Sequence, residues 1–141
     1  MDTKYEALKI GNQLCFPLYA CSREIIKRYK PFLDEIDLTY TQYIAMMVLW
    51  EQGSTTVKEL GNALYLDSGT LTPLLKKMEV KGLINRRRSE TDERSLIVSL
   101  TGAGEALKDK ALSVPQQMAS CVCLEPEEAR ERYRILYKLL K

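Results

Sequence analysis

Apolar positions recur along this chain with two different periods, and the change of period marks its organisation. From roughly residue 5 to residue 36 the spacing is helical: Leu14, Leu18, Cys21 and Ile25 fall at i, i+4, i+7 and i+11. Pro17 lacks an N–H and crowds the preceding turn, so it fits only near a helix start, which places that start near Asn12. Pro31 predicts a break or kink near Lys30. Thr39-x-x-Gln42 reads as a capping box opening a second helix that ends before Gly53. Tyr43, Ile44, Met46, Met47, Val48, Leu49 and Trp50 make that helix apolar nearly all round, which predicts a central position. Thr56-x-x-Glu59 reads as a second box, starting a short helix to about Tyr65. Asp67 or Ser68 caps the next helix, Leu71, Leu74, Leu75 and Met78 form its inner face, and Gly82 suits its C-terminal left-handed position.

After Gly82 the period drops to two. Residues 83–88 and 94–100 read as strands, with Leu96, Val98 and Leu100 alternating inward, and residues 89–93 form a polar tip. Thr101 caps a further helix carrying Leu107, Ala111, Val114 and Met118, with a kink expected at Pro115. Glu125-Pro126 opens a last helix with Ala129, Tyr133, Leu136 and Leu140 along one seam. Two short helices joined by a tight turn and followed by a hairpin describe a winged helix-turn-helix. The predicted class is mainly α with a small β-hairpin wing, in one domain over residues 1–141. Its DNA-binding region is residues 54–100, and the apolar stripes of the helices of residues 5–36 and 102–141 pack within the chain or, in the sharper reading, form dimerisation helices that pair two chains.

Charge changes the picture only through its placement. The chain carries +2 overall, yet residues 76–88 hold Lys76, Lys77, Lys81, Arg86, Arg87 and Arg88 against Glu79 alone, a local +5. Such clustering suits phosphate binding. Gly69, Thr72, Pro73, Lys76 and Lys77 point away from the apolar face of the capped helix, as suits a helix laid in a major groove. No apolar run approaches the roughly 20 residues that span a bilayer. The opening residues lack a secretory pattern, so a cytoplasmic setting with reduced thiols is expected. There is no histidine, and Cys15, Cys21, Cys121 and Cys123 include no C-x-x-C, which argues against structural zinc; no cofactor is expected. Cys15 and Cys21 lie about 9 Å apart along a helix and cannot bridge without unwinding it. Small apolar filling accounts for Cys21. Cys15 has Tyr19 one turn on, with Tyr29 and Tyr40 on nearby segments, and a phenol donating to sulfur favours thiolate, the form that peroxides attack.

QLCFPLYACSREIIKRYKPFLDEIDLTYTQY and LYLDSGTLTPLLKKMEVKGLINRRRSETDERSLIVSLT closely resemble the MarR-type winged-helix repressors, in particular the organic-hydroperoxide sensor branch, over about residues 10–115. The resemblance implies a homodimer on a pseudo-palindromic double-stranded DNA operator. It also implies that Cys15 is the redox-sensing thiol, supported by Tyr29 and Tyr40 across the dimer interface with Tyr19 nearby, and that Ser68, Thr70, Thr72, Lys76 and Lys77 lie on the DNA-recognition helix. Arg94 would enter the minor groove from the wing, held by Asp92, and at least one of Arg86 to Arg88 would meet phosphate. Pro17, Cys21, Cys121 and Cys123 depart from the family pattern. Either Cys121 or Cys123 would resolve an oxidised Cys15 of the other subunit, or a small thiol would form a mixed disulfide with it.

The expected activity is therefore repression relieved when an organic hydroperoxide or related thiol oxidant converts Cys15 to sulfenic acid. Three rivals stand beside it. A phenolic or quinone ligand could release the same repressor. Cys15 could serve a thiol peroxidase, although the basic helix and wing would then have no purpose. The chain could also bridge DNA structurally with inert cysteines.

Overall fold

A computed structural model describes residues 3–92 and 94–141. Short 3-10 turns at Glu6–Leu8 and Ile10–Asn12 precede helix α1, Phe16–Asp34. The regular helix thus begins later than expected, with Cys15 at its N-cap and Pro17 in its first turn, where a missing N–H has no cost. Pro31 does not end α1. The helix continues to Asp34 because Tyr29, Phe32 and Leu33 pack into the core beside it, offsetting a cost of about 3 kcal/mol.

Helix α2, Tyr40–Gln52, starts at the Thr39 box: Thr39 Oγ1 accepts from the Gln42 N–H, and Gln42 Oε1 accepts from the Thr39 N–H. Ala45, Met46 and Leu49 are fully buried along it, so α2 is the central post of the fold. Strand β1, Ser54–Thr56, was not foreseen. Its three residues double as the cap of α3, Val57–Leu64, in which Thr56 Oγ1 accepts from the Glu59 N–H. Only half of the second box forms, because the Glu59 carboxylate accepts from the Thr55 hydroxyl at 2.9 Å.

Tyr65 takes a left-handed conformation and turns the chain into α4, Ser68–Val80. The turn closes on Gly61, where a Cβ would lie 2.7 Å from the Leu66 carbonyl oxygen. Helix α4 ends in a Schellman turn: Gly82 (φ 78°) donates to Glu79, and Leu83 donates to Met78. Strands β2, Ile84–Arg88, and β3, Leu96–Leu100, then form the wing, with β3 central between β1 and β2 in an antiparallel sheet.

Helix α5, Gly102–Ala111, is capped by Thr101. It yields at Leu112 to α6, Ser113–Cys121, since Pro115 cannot donate to the turn before it. Helix α7, Pro126–Leu139, opens at Glu125 and buries no residue. The core joins Leu33, Met46, Leu49, Leu60, Leu75 and Val98. Outside it, Phe16, Leu18 and Tyr19 on α1 and Tyr133, Tyr137 and Leu140 on the α7 segment remain exposed. Apolar surface on this scale seeks a cover. Among the described residues, no helix is long and apolar enough to cross a membrane.

Candidate functional site

Two sites emerge, at opposite ends of the architecture. The first is built by α3, α4 and the wing. Asp67 Oδ1 accepts from the Thr70 N–H at 2.7 Å, fixing the first turn of α4. Those hydrogen bonds from Thr70 hold the Asp67 carboxyl below its ordinary range. Thr72 Oγ1 donates to the Ser68 carbonyl at 2.8 Å, which leaves its lone pairs facing outward. Ser68, Thr70, Thr72, Lys76 and Lys77 are all exposed, Ser68 and Thr70 in the first turn of α4 and Thr72, Lys76 and Lys77 on the side away from its buried leucines. A groove of about 570 Å³ separates this helix from the wing and is lined by Ser68, Thr72, Arg94 and Ser95. It also takes in Lys58 and Asn62, one turn apart on α3, which sequence reasoning missed. Their signal was available: both lie on the side of α3 opposite the buried Leu60.

The wing tip is tied by its own side chains. Asp92 Oδ1 accepts from the Arg94 backbone N–H at 3.0 Å, and Oδ2 accepts from the Ser95 hydroxyl at 3.0 Å. Asp92 therefore holds the backbone at Arg94, an exposed residue that lines the groove beside α4. Glu93, expected in the same tip, lies outside the described residues.

Two cations of the basic cluster are spent inside the protein. Arg86, expected on DNA, is folded against α4: its N–H and Nη2 donate to the Glu79 carboxylate at 3.1 and 3.3 Å. Its side chain is only 19% exposed. That pairing pulls the Glu79 carboxyl below its ordinary value. Lys81 Nζ donates to the Asp37 carbonyl at 2.6 Å and to Gln42 Oε1 at 3.0 Å, bracing the end of α4 against the start of α2. Lys76, Lys77, Arg87, Arg88 and Arg94 are all exposed.

The second site concerns the thiols. Cys15 is exposed at the N-cap of α1, where the helix dipole favours negative charge. Tyr19 follows one turn later, its ring 6.3 Å from that of Phe16 and its hydroxyl accepting from Arg23 Nη1 at 2.9 Å. Tyr29, Tyr40 and Tyr43 form a separate cluster, with ring centroids 4.9 Å (29–40), 5.9 Å (29–43) and 6.4 Å (40–43) apart. Burial raises all three phenols. Arg132 partly opposes the rise at Tyr29, Tyr29 adds to it at Tyr40, and Tyr43 is pushed up to about 12 by burial and both neighbours. These phenols stay protonated near neutrality and remain donors.

Within one chain the fold does not bring Cys15 to them. Fourteen helical residues separate Cys15 from Tyr29, about 21 Å of rise. Nor does it join Cys15 to Cys121, whose carbonyl accepts from Arg28 at 3.3 Å, thirteen residues further along α1 than Cys15. That contact lies about 20 Å of helix rise from Cys15, and both cysteines are free. Cys123 follows in the link to α7, also exposed and free. Among the described residues, no cluster of His, Cys, Asp and Glu suits a metal ion.

A family model described as transcriptional regulator SarA/Rot matches residues 27–111. An organic hydroperoxide resistance transcriptional regulator of Bacillus subtilis is 50% identical over 141 residues, all of this chain and 96% of that protein. An HTH-type transcriptional regulator SarZ of Staphylococcus saprophyticus is 44% identical over 92% of this chain and 87% of its own length. Among solved structures, reduced AbfR bound to DNA superimposes with a TM-score of 0.79 at 35% identity, over 97% of this chain and 94% of that one. AbfR has also been crystallised from Staphylococcus epidermidis, in a form that matches at 0.73 and 34%, over 99% and 96% of the two chains.

Proposed function

Because this chain belongs to the MarR-type winged-helix transcriptional regulators, within the SarA/Rot group and the family of the Bacillus subtilis hydroperoxide regulator, we propose that it is a DNA-binding repressor released by oxidation of Cys15. It acts as a homodimer on a pseudo-palindromic operator, in the reducing setting of the cytoplasm. Ser68, Thr70, Thr72, Lys76 and Lys77 meet the major groove, and Arg94 reaches the minor groove from a tip that Asp92 holds. Arg87 and Arg88 supply phosphate contacts. Membership of a regulator family sets aside the thiol peroxidase.

One observation carries the redox reading: Cys15 stands exposed at a helix start, with the phenols suited to support it about 21 Å away in its own chain. A second copy, covering the apolar faces of α1 and α7, brings Cys15 of the partner subunit to Tyr29 and Tyr40. An organic hydroperoxide, R–O–OH, is then attacked at its terminal oxygen by the thiolate. The O–O bond breaks, sulfur is oxidised to sulfenic acid, and the departing alkoxide takes a proton to leave as the alcohol. A thiol condenses with the sulfenic acid, forming S–S and releasing water. The resolving thiol is Cys121 or Cys123 of the partner subunit, or a small-molecule thiol. The link shifts the terminal helices, and the two α4 helices lose the spacing of about one DNA turn.

The test is a gel shift with the reduced dimer before and after cumene hydroperoxide. The unmodified chain is expected to release DNA, and Cys15→Ser to bind and stay bound. Release by the Cys15→Ser variant overturns the reading. A second reading keeps the repressor and replaces the oxidant by a phenolic or quinone ligand. It is favoured by an apolar groove of about 550 Å³ between α1 and α7, lined by Leu18, Cys21, Tyr133 and Tyr137. Release by a salicylate-like compound without oxidant would select it.

A further inference from the structure

Phenols that donate to sulfur favour its thiolate, and a fixed cation beside them lowers the energy of that thiolate further. The stretch around Cys15 supplies no obvious cation for that role, since the Arg23 guanidinium is turned onto the Tyr19 hydroxyl and ring. The fold supplies one from the other end of the chain.

Tyr29 and Tyr40 line a cavity of about 460 Å³ enclosed by α1, α2, α6 and α7. Its remaining walls are apolar, with Ile25, Met118, Val122 and Leu124 among them, and Arg132 of α7 is the one charged residue lining it. Arg132 is close enough to Tyr29 for its charge to work against the rise that burial imposes on that phenol. It also lines the adjoining groove between α1 and α7, so it stands on the ridge between the two spaces. The other cation in this neighbourhood, Arg28, donates to the Cys121 carbonyl. Lysine and arginine pairs elsewhere on α7 are engaged with its own glutamates, Arg130 with Glu127 and Arg134 with Glu131. Arg132 has no such carboxylate partner among the described residues.

We propose that Arg132 is the cation of the thiol site: presented with the Tyr29 and Tyr40 phenols in one cavity, it holds Cys15 of the partner subunit as thiolate and accelerates its oxidation. The proposal rests on the redox reading above and deepens it. Charged and titratable groups face the entering sulfur from three elements: Tyr29 from α1, Tyr40 from α2 and Arg132 from α7. The α6 wall contributes Pro115, Met118 and Ala119, and the link after it Val122 and Leu124, none of them ionisable. In the reaction the guanidinium is neither oxidised nor deprotonated. It stabilises negative charge first on sulfur and then on the alkoxide that leaves when the O–O bond breaks. Arg132 is thus a positioning and electrostatic residue, and the protons come from solvent or the phenols.

The experiment compares the unmodified dimer with R132Q, which keeps polarity and loses charge, and R132K, which keeps charge. Iodoacetamide alkylation of Cys15 is followed against pH, with fragment-ion mapping to separate Cys15 from Cys21. For R132Q the alkylation midpoint is expected to rise by about one pH unit, and oxidation by cumene hydroperoxide at neutral pH to slow about tenfold. R132K is expected to recover most of both. Identical profiles and rates for R132Q and the unmodified chain overturn the proposal, and so does equal failure of R132K and R132Q, which would mean shape rather than charge. Should R132Q not form a dimer, a midpoint for the unmodified chain at or above the ordinary thiol value of about 8.5 overturns it alone. If instead Cys15→Ser still releases DNA on oxidation, the redox reading itself fails, a distinct result.

Discussion

Arg86 and Lys76 look interchangeable in a charge count, yet their surroundings predict opposite behaviour on DNA. Arg86 spends its backbone N–H and one guanidinium nitrogen on Glu79, whereas Lys76 is exposed on the reading helix. Each phosphate neutralised contributes about 0.9 to the slope of log affinity against log salt, and a two-fold dimer carries every residue twice. Lys76→Gln is therefore expected to flatten the slope by about 1.8, while Arg86→Gln leaves it unchanged. Over a fourfold salt range the Lys76 effect amounts to roughly a twelvefold difference in relative affinity, well within reach of fluorescence anisotropy on a labelled operator duplex. Arg86→Gln retains the backbone bond from residue 86 to Glu79, so the wing keeps one anchor and the comparison is made on folded protein. Its expected signature is a lowered urea midpoint at an unaltered salt slope. A slope reduced by Arg86→Gln as much as by Lys76→Gln would refute the reasoning, since the guanidinium would then have to leave Glu79 for phosphate.

Other perturbations probe the scaffold. Gly104 meets the Leu83 carbonyl oxygen so closely that an added Cβ would sit 2.1 Å from it, and the Gly104 carbonyl accepts from Trp50 Nε1 at 2.9 Å. Gly104→Ala should therefore cost about 3 kcal/mol or more, from overpacking plus a weakened hydrogen bond, read as a drop of roughly 10 °C in Tm. Tyr43 has its folded value raised to about 12 from 10.0, so its contribution is complete below pH 10 and fades as pH climbs through 12. Phenolate absorbance should show it titrating late, and Tyr43→Phe should remove part of the alkaline destabilisation. Glu79 is depressed below its usual 4.5, so the stability it contributes is present above that pH and is lost as acid reaches its lower folded value; Glu79→Gln should flatten acid unfolding in that window.

Much of this architecture was readable because its signals are local. The Thr39–Gln42 box forms as written, Gly82 takes the left-handed position that its place after Met78 demanded, and the period change at Leu83 marks the wing. What escaped depends on contacts between distant segments. Strand β1 is three residues long and exists only because β3 pairs with it. Pro31 stays helical because the core holds the residues around it. Lys81 reads as a DNA cation until α4 is seen to end against Asp37 and Gln42. Arg86 is a subtler miss: Glu79 is seven residues away, but only the Schellman turn folds the strand back to reach it. The tyrosines were legible as a group; their partner Arg132 lies about a hundred residues further on and leaves no trace in local pattern.

The Lys81 ammonium has a mechanical consequence. It pins the left-handed Asp37, just past the C-terminus of α1, and the Gln42 side chain to the tail of α4. Under the proposed mechanism, torque on α1 would pass to α4 through this short bolt instead of being absorbed by slack in the connecting chain. Removing the bolt, as in Lys81→Met, would decouple the two: oxidised Cys15 would still form, but DNA would be released less completely. Full release from the oxidised Lys81→Met dimer would show that the torque travels by another route.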